Sequence, residues 1–111
     1  MRSIDVYRQH AEALRAAVTT SRAAVTEGSL RSAAMERAAG GAPIAQPHDD
    51  LARQIGEAAY RVTDEQVAAV RDATGSDKAA FEVVMAACIG AGLDRWDAAV
   101  RAIEEAADAA S

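Results

Sequence analysis

Few side chains in this sequence carry reactive chemistry, and their spacing decides what they can do. The chain's one cysteine, Cys88, lies in the apolar run FEVVMAACIGAG, residues 81–92. Peroxidatic thiol chemistry needs a thiolate and, for turnover, a second thiol that resolves the oxidised sulfur. No second cysteine is present. Alanines surround Cys88, and helical spacing sets it on one face with Phe81, Val84 and Met85, so it reads as a small buried filler. The densest polar cluster is His48 with Asp49 and Asp50. A histidine beside carboxylates suits proton transfer or a metal, but neighbours at a helix start point apart, and capping is the simpler reading. Glu82 follows Lys78 by four residues, which makes either a surface ion pair or, turned inward, a lone carboxylate fit to act as acid or base. Tyr60, at a helix junction, adds a phenol. His48, Glu82 and Tyr60 are therefore the candidate catalytic groups. His10 reads as an exposed or interfacial residue of the first helix. No His-x-x-x-His, Glu-x-x-His or Cys-x-x-Cys spacing occurs, so neither a metal nor a cofactor is expected.

These groups must be held by helices, because every sustained apolar pattern has a period near 3.6. Ile4, Tyr7, Ala11, Leu14, Val18 and Val25 predict a first helix over 4–25, with Ser3 as its cap. That stripe either packs on its own chain or forms a seam for another; Tyr7, Leu14, Val18 and Trp96 are the interface candidates. A short helix capped by Ser29 is expected before Gly40 and Gly41, then an extended stretch over 42–46. A third helix begins near Pro47 or His48 and buries Leu51, Ile55, Ala58 and Val62. Thr63 and Gln66 make a capping box for a fourth helix, which Gly75 closes and whose successor Ser76 caps. The last helix runs through Gly90 and Gly92, with Phe81, Val84, Met85, Cys88, Trp96, Val100 and Ile103 on its stripe, and frays at EEAADAAS. The expectation is one all-α domain over 1–111, a small bundle of four to six helices. Its residues 47–108 carry the clearest helices, and 1–46 are the less regular part.

Composition narrows the function. Alanine makes up 30 of 111 residues, while Leu, Ile, Val and Phe together make up 19. So thin a core favours further burial in an oligomer. Eleven arginines and one lysine are scattered in a chain of net charge −5, with no basic cluster for a nucleic acid. No apolar run approaches the roughly 18 residues of a membrane span. The first ten residues lack the apolar core of a secretory signal, and a single cysteine suits a reducing cytoplasm.

The stretch from Ala58 to Glu104, with VTDEQVAAVRDA, SDKAAFEVVMAA and GLDRWDAAV, resembles the later half of an alkylhydroperoxidase-D-like, or carboxymuconolactone decarboxylase-like, domain. The resemblance implies an all-helical fold that assembles into rings. In redox-active members it implies a Cys-x-x-Cys pair with a nearby histidine and glutamate. This sequence departs from that pattern, since Cys88 has Met85 and Ala91 three residues to either side. The resulting expectation is a non-redox subunit that forms a homo-oligomer, or a heteromer with a related redox-active chain. The alternative is a small cofactor-independent enzyme with His48, Glu82 or Tyr60 in an intersubunit pocket.

Overall fold

The computed structural model describes residues 2–110. Helix α1 spans Arg2–Thr20, α2 Gly28–Ala38, α3 His48–Ala58, α4 Asp64–Thr74 and α5 Asp77–Ala110, with a 3-10 turn at Ala59–Arg61. No strand occurs among the described residues, and the bundle is all-helical. The Ser3 cap concerns a side chain outside the described residues.

Helix α2 sits at the centre, against α5, α3 and α1. Small residues set the spacing. A methyl group on Gly90 of α5 would collide with the Met35 carbonyl of α2, and one on Gly56 of α3 with the Ala38 carbonyl. The interior they enclose holds Ala34, Leu51, Ala52, Val70, Val83 and Ala87, all fully buried. Val18 of α1 belongs to the same cluster, so it packs within its own chain and is not free for another.

Several local signals act as expected. Thr63 Oγ1 accepts the Gln66 N–H at 3.2 Å, and Gln66 Oε1 accepts the Thr63 N–H at 3.0 Å, completing the capping box. Gly75 ends α4 at φ +95°, in the left-handed region that glycine enters without steric cost. Ser76 Oγ then accepts the Ala79 N–H at the start of α5.

Four boundaries or faces differ from expectation. Helix α1 stops at Thr20, not Val25, because side chains from α2 and α5 claim the backbone that would have continued it. The first turn of α2 contains Ser29, and Glu27 precedes it as the capping position. Helix α5 runs through Gly90 and Gly92 as expected, but it stays helical to Ala110, through the tail expected to fray. Its buried face is Ala79, Ala80, Val83, Ala86, Ala87, Gly90, Ala91 and Val100. Phe81, Met85, Cys88 and Ile103, expected inside, are exposed. The α2 backbone leaves no room for a side chain at Gly90, and the rest of the buried face is alanine and valine, so small size marks this face.

The amino-terminal part of α1 and the carboxy-terminal part of α5 lie side by side. Arg8 pairs with Glu104, Arg15 with Asp97 at 2.7 Å, and the Tyr7 ring meets Trp96 edge-on with centroids 6.3 Å apart. Helix α5 gives the molecule its long axis of 54 Å.

Candidate functional site

Between α1, the connecting segment 21–27 and α5 lies an open groove of about 300 Å³. Leu14, Val18, Phe81, Met85 and Ile89 supply its apolar walls, and Arg31, Lys78 and Glu82 lie at its polar end. The polar end is a latch that holds the chain between α1 and α2.

Arg31 is buried at 5% exposure. Its Nε donates to the Val18 carbonyl at 2.6 Å and Nη2 to the Thr19 carbonyl at 3.0 Å. These are terminal carbonyls of α1 that lack helical partners, and a cation is favoured at that end of the helix. Nη1 donates to the Thr26 carbonyl and hydroxyl. The Thr26 hydroxyl passes the connection on, donating to Glu82 Oε1 at 2.6 Å. Glu82 also accepts the backbone N–H groups of Val25 and Thr26 at 2.9 Å each, and Lys78 Nζ at 2.6 Å. Lys78 donates in turn to the Ala23 carbonyl.

The Glu82 side chain is 11% exposed. Burial pushes its pKa up. The hydrogen bonds from Lys78, the Thr26 hydroxyl and the two backbone N–H groups outweigh that and hold it at about 2. The i,i+4 pair with Lys78 is present, but as part of this latch and not as a free surface pair. A carboxylate with so low a pKa, and with both oxygens occupied, stays an anion at neutral pH. It is ill matched to proton transfer near neutral pH.

The other sequence candidates lie elsewhere. His48 begins α3 and Tyr60 follows its end, so the helix separates them by about 16 Å of rise. The groove lining includes Glu82 and neither His48 nor Tyr60. Tyr60 is 83% exposed and lies against Arg61, whose guanidinium carbon is 5.7 Å from the ring centre. Burial lowers the pKa of His48, and its Nδ1 is enclosed without a hydrogen-bond partner. Asp49 is structural: its Oδ1 accepts the Ile44 N–H at 2.9 Å and Arg37 Nε at 2.7 Å, which together hold its carboxyl below the usual range. It thereby ties the segment before α3 to α2.

Of the interface candidates, Tyr7 and Leu14 are exposed, Trp96 is half-buried under Tyr7, and Val18 is interior. His10 is exposed beside Tyr7. Cys88 is exposed on the outer side of α5, which corrects its reading as a buried filler. Among the described residues no group of histidine, cysteine and carboxylate side chains is placed to hold a metal, and no helix is long and apolar enough to cross a membrane.

Sequence reasoning missed Arg31 and Thr26. The available signal was the run of Thr19, Thr20 and Ser21, with Val25, Thr26 and Gly28 beyond it, which weakens a helix there, followed closely by Arg31. No protein-family model, curated protein or solved structure matches the chain.

Proposed function

We propose that the protein is a non-redox, alkylhydroperoxidase-D-like helical subunit that works as an oligomeric assembly or as the partner of another chain. The supporting observation is the inversion of α5. Phe81, Met85 and, on the neighbouring helix, Leu14 are exposed, while the interior is built largely of alanine. A chain with so few large apolar residues that leaves these outside gains most by covering them against another surface. The family resemblance of residues 58–104 supports the same reading, and the lone thiol assigns any disulfide chemistry to a related chain. Catalysis by His48, Glu82 or Tyr60 has weaker support, because Glu82 is saturated and α3 holds the other two apart.

The test is light scattering of the purified chain over a wide concentration range, with recovery of any co-purifying partner. Species at multiples of 11.5 kDa, or a stoichiometric complex, are expected. A single 11.5 kDa species throughout, with no partner recovered, would overturn the reading.

A further inference from the structure

We propose that two copies of the chain pair antiparallel along the outer face of α5, with Phe81 of each copy seated over Gly92 of the other. This rests on the assembly reading above and specifies its geometry.

Lys78, Phe81, Met85, Cys88, Gly92 and Arg95 follow one another in alternating steps of three and four, and all are exposed. That spacing is the seam of a two-helix coil. The opposite side of the same helix is the packed core face. From Ala79 to Leu93 the only charged residue is Glu82, and its carboxylate is occupied by Val25, Thr26 and Lys78. A helix apolar all round is ordinarily covered all round. Here the bundle covers only one side.

The seam is complementary to itself. With a two-fold axis midway between Met85 and Cys88, an antiparallel copy sets Met85 against Cys88 and Phe81 against Gly92. The largest side chain of the seam then meets the position with none. A parallel copy would stack phenylalanine on phenylalanine and leave a void at the glycine. Lys78 and Arg95 end the seam, and both are turned to internal acceptors: Lys78 to Glu82 and the Ala23 carbonyl, Arg95 to the Ala91 and Gly56 carbonyls.

Gly92 itself points outward for an explanation. Gly90 is required where it stands, since a methyl group there would strike α2. At Gly92 a methyl group would meet nothing within 4 Å, and the backbone is ordinary helix. Glycine weakens a helix interior, and nothing within the chain calls for it at this position. A knob arriving from a second copy does, about 17 Å along the helix from the matching knob.

The experiment uses the full chain and sedimentation velocity, with circular dichroism to confirm that each variant keeps its helix content. Phe81→Gly and Gly92→Phe are each expected to weaken self-association at least tenfold. Gly92→Leu, which disturbs no internal contact, is expected to do the same. Combining Phe81→Gly with Gly92→Phe exchanges knob and hole within each layer, and dimerisation should return. Self-association that ignores the single substitutions, or fails to recover in the folded double variant, would overturn the antiparallel seam and leave assembly standing. A wild-type chain that stays monomeric at every concentration would overturn the seam, and with no partner recovered it would overturn the assembly reading as well.

Discussion

Along α5 the inward side carries Ala79, Ala80, Val83, Ala86, Ala87 and Gly90, and the outward side carries Phe81, Met85 and Cys88. Hydropathy alone would have put the second set inside. Dispersion and burial reward large side chains only where there is room for them. At this crossing the α2 backbone comes so close that Gly90 has no room for a methyl group, and the inward positions around it are mostly alanine. The inward side is therefore selected for fit, and the outward side retains the large apolar groups. Substitutions on the two sides should behave in opposite ways.

The largest effect is expected at Gly90. Gly90→Leu forces a branched side chain into the Met35 carbonyl and should cost more than about 3 kcal/mol, or prevent folding. Urea denaturation of that variant, or its absence from the soluble fraction, checks this. Near-native stability would show that the inward side is not set by fit.

Glu82 lies between the two sides and is expected to come next. Glu82→Gln removes the charge that gathers Lys78, Thr26 and the Val25 N–H, at about 2–3 kcal/mol. The same group sets an acid limit. Its pKa falls from the ordinary glutamate value of 4.5 to about 2 on folding, so its contribution is complete above pH 4.5. That contribution is lost as pH drops from there toward 2. Wild-type stability measured across this window should decline, and Glu82→Gln should flatten the slope. Equal slopes would remove Glu82 from the account of acid sensitivity.

On the outward side, Gly92→Ala should stabilise the dilute chain by up to about 1 kcal/mol, the helix-propensity difference alone. A loss instead would mean that the position has an internal contact the fold does not show. Smallest of all, Phe81→Ser should change the stability of the dilute chain by no more than about 0.5 kcal/mol, although Phe81 is 62% exposed and the chain's only phenylalanine. Thermal melts at low concentration decide this, and a loss of several degrees would return Phe81 to the core.

How much of this was legible follows from which forces are local. The capping box at Thr63 and Gln66, the turn at Gly75 and the cap at Ser76 depend on residues within a few positions of one another, and they read directly. So did the α3 stripe of Leu51 and Ile55, where large apolar residues do face inward. The α5 face misled because helical spacing identifies two stripes on that helix, and only the distance to α2 tells which is inside. The end of α1 was hidden for a related reason. Thr20 is the last residue because Arg31 takes the carbonyls behind it and Glu82 takes the N–H groups ahead, and both partners are remote in sequence. Lys78 and Glu82 were visible as a pair; the segment they hold was not. His48 and Tyr60 drew attention by residue type, and the rise of α3 keeps them apart.

Helix α1 is gripped unevenly. At its far end Arg31 binds the Val18 and Thr19 carbonyls from a buried position, while the rest of α1 is tied to α5 by the edge-on contact of the exposed Tyr7 ring with Trp96 and by two partly exposed ion pairs, Arg8 with Glu104 and Arg15 with Asp97. Exposed pairs contribute little and are screened by salt. Local opening thus begins at the amino-terminal turns of α1 and runs toward Thr20, so the helix frays as a zipper does, from one end only. Amide protection would then rise along α1 toward the arginine clasp, and added salt would steepen that gradient without moving its protected end.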